Sequence, residues 1–118
     1  AWLMLIQCLG RDTLWKWKVR NRIQPAEVRT WAFRVLSNTQ PDFRTDIAQH
    51  MLTNAPAYLV RSDRRSPSVV PDFDCVHVIY GGGMYHWGLT IGDTNLPSER
   101  ARAPHSETWA PGIYYWNE

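Results

Sequence analysis

Residues 14–23 alternate between large apolar and basic side chains. The odd positions hold Trp15, Trp17, Val19 and Ile23, and the even positions hold Lys16, Lys18, Arg20 and Arg22. This alternation is typical of a half-buried β-strand, whereas a helix would place Trp17 away from Trp15 and Val19. We therefore predict a strand over 14–23, with a helix that begins at Asp12–Thr13 as the alternative.

The apolar pattern changes to helical spacing after this segment. Pro25 suits the first position of a helix, and the apolar residues that follow recur on one helical face: Val28, Trp31, Ala32, Val35 and Leu36. A second predicted helix begins near Pro41, where Asp42 is favoured by the helix dipole. Its apolar positions are Phe43, Ile47, Met51 and Leu52, and residues 54–56 end it.

The second half of the chain contains the clearest turn signal. Two apolar runs, 75–80 and 84–91, flank Gly81-Gly82-Gly83, and glycine readily adopts the positive φ that tight hairpin turns require. Pairs that bring every large apolar residue onto one face are Tyr80–Tyr85, Val78–Trp87 and Val76–Leu89. This register predicts that Tyr85, Trp87 and Leu89 are buried, and that His86 lies on the opposite face.

The remaining segments complete an α+β prediction. Residues 61–71 are charged and rich in proline, which indicates a surface loop, and 92–112 lack any periodicity, which indicates a long loop before a last strand, 113–116. We predict one domain, 1–118, with N-terminal helices packed on a small, mostly antiparallel sheet that carries the Gly-rich hairpin.

Charge is small in total but unevenly distributed. The net charge is +2, yet residues 1–65 carry eleven Lys/Arg against five Asp/Glu, and residues 66–118 carry two against six. Such asymmetry indicates either a basic face for an anionic partner or two halves that attract each other, within one fold or between subunits, and we favour the second. Two cysteines, Cys8 and Cys75, favour a reducing, cytoplasmic setting. We interpret 1–9 as folded core, because the run is too short to span a bilayer and lacks a basic leader.

The polar face of the predicted hairpin carries the main candidate chemistry. It presents Cys75, His77 and His86 together, and thiolate and imidazole are both zinc ligands. A fourth ligand would have to come from elsewhere, from Cys8, His50, His105 or an Asp. The alternative is that helices cover this face and its histidines are hydrogen-bonded structural residues.

The same hairpin resembles a known enzyme family over residues 71–93. The segment His86-Trp87-Gly88-Leu89-Thr90-Ile91-Gly92-Asp93, preceded by Pro71-Asp72 and a strand, is similar to the catalytic-histidine hairpin of NlpC/P60-type cysteine peptidases and their acyltransferase relatives. The resemblance implies that His86 is a general base, oriented by His105 or Asp93. It also implies a catalytic cysteine, for which Cys8 is the candidate. The family's Asp-Cys-Ser/Thr-Gly helix start is not present in this chain.

Aromatic residues supply a second set of binding candidates. The chain has seven tryptophans, of which Trp15, Trp17, Trp31 and Trp87 fall on predicted buried faces. Trp109 in the long predicted loop is either a ligand-binding plate or a core residue. Tyr115 or Trp116 and the imidazole of His77 complete this candidate ligand-binding set.

These observations favour a small, non-enzymatic binding or interaction domain. No complete catalytic or cofactor motif is present, so we expect no cofactor, and a weak net charge does not favour nucleic acid. The expected partners are a protein, a small ligand or a second copy of the chain. We do not expect the chain to bind a membrane. The alternatives are a cysteine hydrolase or acyltransferase that uses His86, and a metal-binding domain.

Overall fold

The helices precede the sheet along the chain, which confirms the predicted α+β class. The computed structural model describes residues 11–37, 54–61, 66–82, 85–102 and 105–118. In chain order its elements are α1 (Arg11–Arg20), α2 (Pro25–Ser37), α3 (Ala57–Val60), β1 (Ser68–Asp72), β2 (Cys75–Gly82), β3 (Tyr85–Gly92), β4 (Ser106–Ala110) and β5 (Ile113–Asn117). In these ranges no helix has the length and apolar character needed to cross a membrane.

Helix α1 replaces the strand that the alternation predicted, so that prediction was wrong. Trp15 and Val19 are buried one helical turn apart, whereas 71% of the Trp17 surface is exposed. Alternation over ten residues matched the strand period, but only two of the four apolar residues at odd positions, Trp15 and Val19, are fully buried in the core. Lys16, Lys18 and Arg20 instead lie on the outer side of α1, and Lys and Arg are good helix formers.

Helix α2 follows the prediction closely. Pro25 occupies its first position, and its buried side chains are Val28, Trp31, Ala32 and Val35. The helix predicted from Pro41, which contains the candidate ligand His50, lies outside the described residues. The chain is described again at Asn54, and a single short turn, α3, follows the predicted stop at Pro56.

All five strands form one antiparallel sheet in the order β1-β2-β3-β5-β4. Two of them lie in predicted loops. Strand β1 falls within the segment 61–71 and extends to Asp72, and strand β4 falls within 92–112, which also holds a 3-10 helix at Ser98–Arg100. Proline and charged residues made both segments resemble loops, and both strands lie at the edges of the sheet, where such residues are tolerated.

The central hairpin forms as predicted, but its register differs by two residues. Tyr80 pairs with Trp87, Val78 with Leu89 and Val76 with Ile91. A shift of two preserves the face of every side chain, so Trp87 and Leu89 are buried as expected and His86 lies on the opposite face. Tyr85 now pairs with Gly82 near the turn, and 39% of its surface is exposed, so its predicted burial was wrong.

One face of the sheet, which we call the helix-covered face, contains the main core. Helix α1 lays Trp15 against Tyr80, at 4.6 Å between ring centroids, and against Tyr115, at 6.0 Å. The Tyr80 hydroxyl donates a hydrogen bond of 2.6 Å to the Leu59 carbonyl, which fixes α3 to β2. The buried members of this core are Trp15, Val19, Val28, Trp31, Ala32, Val35, Leu59, Val69, Val76, Val78, Tyr80, Trp87, Leu89, Ile91, Ile113 and Tyr115.

The opposite face, which we call the site face, is covered in part by the segment that follows β3. Leu96 packs there against Cys75 and Tyr114, and the Tyr114 hydroxyl donates to the Leu96 carbonyl. Gly88 has no room for a side chain on this face, because an added Cβ would lie 2.1 Å from the Val78 carbonyl oxygen and 2.7 Å from the Trp116 ring. The site face is therefore closely packed around the strands that carry the two buried polar side chains of the described chain, His77 and Thr90.

Candidate metal centre

Three potential ligand residues meet on the site face at the closed end of the β1–β2 hairpin. Asp72 ends β1 directly opposite Cys75, which begins β2. Cys75 and His77 are two residues apart on one strand, so they share a face. The hairpin therefore places a carboxylate, a thiol and an imidazole side by side.

A tight turn at Phe73 creates this arrangement. The Asp74 backbone N–H donates to the Asp72 carbonyl at 2.6 Å, and Phe73 between them has a φ of 56°. A bulky residue with positive φ is rare and costs roughly 1–2 kcal/mol. Phe73 recovers nothing by packing, since 98% of its surface is exposed. The turn thus connects β1 to β2 through only two residues, Phe73 and Asp74.

The three donor atoms lie within 4.8 Å of one another. His77 Nε2 lies 3.0 Å from Asp72 Oδ2 and 3.9 Å from Cys75 Sγ. Cys75 Sγ also donates to the Asp72 carbonyl oxygen at 3.5 Å. The cluster is asymmetric in burial, because Cys75 and His77 are buried whereas the Asp72 side chain is about half exposed.

The second ring nitrogen of His77 is held by Thr90. Thr90 is the cross-strand partner of His77 in the observed register, and its Oγ1 lies 2.8 Å from His77 Nδ1. Because Thr90 is fully buried, this contact fixes the plane of the imidazole. With the Asp72 carboxylate accepting from Nε2–H, the Thr90 hydroxyl donates to Nδ1.

Arg100 ties the covering segment to the cluster. Its guanidinium forms an ion pair with Asp74 at 2.7 Å, lies 3.6 Å from Asp72 Oδ2, and donates to the Asp72 carbonyl at 3.2 Å. A groove of about 440 Å³ opens beside it, lined by Val70, Pro71, Asp72, His77, Glu99, Arg100, Ala101 and Arg102. The cluster therefore borders a space large enough for a solvent molecule or a small ligand.

The environment affects the two acidic groups in opposite ways. The hydrogen bond from His77, assisted by the charge of Arg100, lowers the pKa of Asp72 below its ordinary value, despite some desolvation. Burial raises the pKa of the Cys75 thiol to about 11, and the nearby Asp72 and Asp74 charges add to that increase. At neutral pH the cluster therefore holds an ionised carboxylate and a protonated thiol.

The structure separates His86 from the other residues of the predicted metal site. The predicted register put His77 diagonal to His86, but His77 pairs with Thr90 and His86 with Gly81, four residues further along β3. Four residues along a strand span roughly 13 Å. His86 Nδ1 lies instead 3.4 Å from Glu118 Oε2, and Asp72 stands where the third ligand of the set was expected.

Within the predicted catalytic set, Asp93 follows the end of β3 opposite to the end that holds His86. Cys8 lies outside the described residues. Asp93 accepts from the backbone N–H of Thr94 at 2.7 Å, and His105 is exposed beside β4, where it lines a shallow cavity with Lys16 and Glu107. The carboxylate beside His86 belongs to Glu118, which the sequence did not suggest.

The aromatic candidates are mostly structural. Tyr115 and Trp116 are buried, and Trp109 is half-buried with its ring stacked on Tyr115, at 5.5 Å between centroids and an interplanar angle of 4°. Trp109 also contacts Trp15. Its packing corresponds to the core alternative rather than to an exposed plate.

Sequence reasoning missed Asp72, Thr90 and Arg100 as site residues. One signal was available, because Asp-Phe-Asp between two valine-rich runs is typical of a turn, and a turn there would have placed Asp72 against Cys75. Comparisons with protein-family models, with curated proteins and with solved structures give no match for this chain.

Proposed function

We propose that this chain is a binding domain whose ligand is a zinc-class transition-metal ion held by Asp72, Cys75 and His77. The observation that carries the proposal is the convergence of three different donor atoms, Oδ2, Sγ and Nε2, within 4.8 Å. Mixed nitrogen, sulfur and oxygen donors suit Zn²⁺, which accepts all three types in a tetrahedral arrangement.

The separations between the donor atoms support a common ion. Zinc bonds of about 2.0–2.3 Å place tetrahedral ligand atoms roughly 3.3–3.7 Å apart. The His77–Asp72 separation of 3.0 Å is slightly shorter than this, and the His77–Cys75 separation of 3.9 Å slightly longer. The third separation, between the Asp72 and Cys75 donors, is at most 4.8 Å, so the three donors surround a space of the size that one ion needs.

The Thr90 contact supplies the support that a metal-binding histidine needs. Ligating histidines almost always donate their second ring N–H to a fixed acceptor. With Nε2 on the ion, the His77 proton sits on Nδ1 and the Thr90 hydroxyl, 2.8 Å away, accepts it. Thr90 can exchange its role from donor to acceptor because a hydroxyl can do either.

Three protein ligands leave one position of a tetrahedral ion for an exchangeable group. The groove beside Asp72 and Arg100 gives that position access to solvent. A charge of −2 from the carboxylate and the thiolate balances the ion. The His77 hydrogen bond, and to a smaller extent the Arg100 charge, lower the pKa of Asp72 in the metal-free chain.

The cysteine hydrolase hypothesis assigned Cys8 as nucleophile and His86 as base, and Cys8 lies outside the described residues. A form of that hypothesis with Cys75 as nucleophile and His77 as base has little support. A nucleophilic cysteine needs a depressed pKa and partial exposure, whereas Cys75 is buried and its pKa is raised to about 11. Both ring nitrogens of His77 are also engaged, by Asp72 and by Thr90. A metal ion would reverse this chemistry, because it displaces the thiol proton directly.

Cobalt substitution tests the proposal. Titration of the reduced protein with Co²⁺ should give a thiolate-to-cobalt charge-transfer band in the near ultraviolet, and Zn²⁺ should abolish it by displacement. The Cys75→Ser and His77→Gln variants should lose the band or bind at least tenfold more weakly.

Two matched variants control this experiment. Cys8→Ser removes the other thiol and His86→Gln removes the other histidine of the hairpin, and both should retain the band. A wild-type protein without a thiolate band overturns the proposal. Loss of the band in Cys8→Ser but not in Cys75→Ser would overturn the assignment of the ligand.

A further inference from the structure

A second, strongly basic cavity lies on the other side of the molecule, between the end of α1 and α3. It encloses about 240 Å³ and is lined by Lys18, Val19, Arg22, Ala57, Tyr58 and Arg61. Lys18 and Arg22 are four residues apart, and Arg61 follows α3 directly. Two helix ends therefore direct three cationic side chains toward one space.

The lining carries no opposing charge among the described residues. None of Lys18, Arg22 and Arg61 forms an ion pair with another described side chain, and no carboxylate is among the described residues that line the cavity. By contrast, Lys16 and Arg20 of the same helix both pair with Glu107, and Arg100 and Arg102 also have carboxylate partners. The three cavity cations thus differ from Lys16 and Arg20, the basic neighbours on the same helix that pair with a carboxylate.

Tyr58 adds a polar group to the same space. Its oxygen accepts the Gln24 backbone N–H at 3.2 Å, which leaves the hydroxyl proton available for another acceptor. The buried Val19 side chain forms an apolar part of the wall. The cavity therefore offers several donors, and Glu27, the described carboxylate that interacts with Tyr58, is not among its lining residues.

We propose that this cavity binds a phosphate-type dianion, either as a phosphate monoester or as the headgroup of a phosphorylated lipid. Guanidinium groups bind phosphate oxygens through paired hydrogen bonds, and a lysine adds a compact positive charge. The volume is below the usual 300–1,000 Å³ of pockets for drug-sized ligands, which fits a small ionic group rather than a large organic molecule.

Phosphorus NMR and thermal unfolding test this site without reference to the metal centre. Glycerol phosphate should show a saturable change in its phosphorus signal on addition of the protein. It should also raise the midpoint of unfolding more than chloride does at equal ionic strength, because a ligand of the native state stabilises it. Equal effects of phosphate monoester and chloride would overturn the proposal.

Variants that each remove one positive charge, inside or outside the cavity, show where the phosphate group binds. Arg22→Gln and Arg61→Gln should each weaken binding at least tenfold, whereas Arg22→Lys should retain part of it. Arg20→Gln is the matched control, because Arg20 lies on the same helix but pairs with Glu107 outside the cavity. If Arg20→Gln weakens binding as much as Arg22→Gln, attraction is diffuse and the cavity is not the site.

Vesicles distinguish the two sources of the phosphate group. Binding to vesicles that contain phosphatidic acid, competed by glycerol phosphate and absent with phosphatidylcholine alone, assigns a lipid headgroup. Binding of glycerol phosphate without any vesicle binding assigns a soluble ester. Both outcomes support the cavity, and retention of the cobalt band in Arg22→Gln keeps this test separate from that of the metal centre.

Discussion

The helix-covered face and the site face of the sheet are held together by different forces. The helix-covered face buries aromatic and aliphatic side chains, and its stability comes from apolar burial, which has little dependence on direction. The site face holds a buried imidazole between Thr90 and Asp72, where each contact depends on distance and angle. Substitutions on the first face should therefore mainly cost stability, whereas those on the second should also change chemistry.

The largest expected effect tests whether α1 covers the first face as described. Trp15→Ala should lower the free energy of unfolding by about 3–5 kcal/mol, because the ring packs against Tyr80, Trp87 and Tyr115. Trp17→Ala, two residues away, should change it by less than about 0.5 kcal/mol, because Trp17 is exposed. Denaturant unfolding measures both, and equal losses would restore the strand prediction, in which both rings are buried.

A pair of histidines on the site face provides the next test. His77→Ala should cost about 1–3 kcal/mol, because it leaves the buried Thr90 hydroxyl without its partner. His86→Ala removes a half-exposed ring beside Glu118 and should cost less than about 0.5 kcal/mol. If His86→Ala is the more damaging change, the contacts of His77 with Thr90 and Asp72 do not stabilise the site face.

Alkaline pH should destabilise the site face through Cys75. Burial raises the pKa of this thiol from 9.0 to about 11 in the folded chain, so the folded state holds its proton more tightly than the unfolded state does. Stability is therefore complete below pH 9 and decreases as the pH rises from 9 toward 11. The free energy of unfolding, measured against pH for the wild type and for Cys75→Ala, separates this contribution from the titration of lysine and tyrosine. If the two proteins lose stability in parallel as the pH rises, the prediction is contradicted.

The smallest expected effect concerns the turn that closes the site. Phe73→Gly should raise the free energy of unfolding by about 0.5–1 kcal/mol, because glycine adopts a positive φ without a Cβ clash and the exposed ring contributes no packing. Phe73→Ala keeps the clash and should be close to neutral. A loss of stability in Phe73→Gly would mean that the aromatic ring is needed in the fold.

The contrast between the two faces also explains what the sequence could predict. Helix α2 and the central hairpin were predictable because Trp31 and Trp87 belong to strong local periods. The sequence of residues 14–23 is compatible both with a strand of period two and with a helix that buries positions 15 and 19. The packing of Trp15 against Tyr80 of β2 selects the helix. The local pattern of apolar residues therefore did not predict the secondary structure where tertiary contacts determine it.

The candidate site was half predicted for a related reason. Cys75 and His77 share a face in any strand, so their pairing follows from spacing alone. Asp72, Thr90 and Arg100 join them through a turn, a register and a folded-back segment, each of which depends on contacts between distant residues. The glycines allowed more than one turn length, and a register shift of two exchanged His86 for Thr90 as the neighbour of His77 without moving any side chain to the other face.

The strand order has a consequence for the kinetics of folding. The β2–β3 and β4–β5 hairpins each close through residues that are near in sequence, which takes on the order of microseconds. The pairing of β3 with β5 joins residues as far apart in sequence as Trp87 and Asn117. Its formation therefore costs more chain entropy than closing either hairpin. We expect docking of the two preformed hairpins through this pairing, where Trp116 lies over Gly88, to be the step that limits the folding rate.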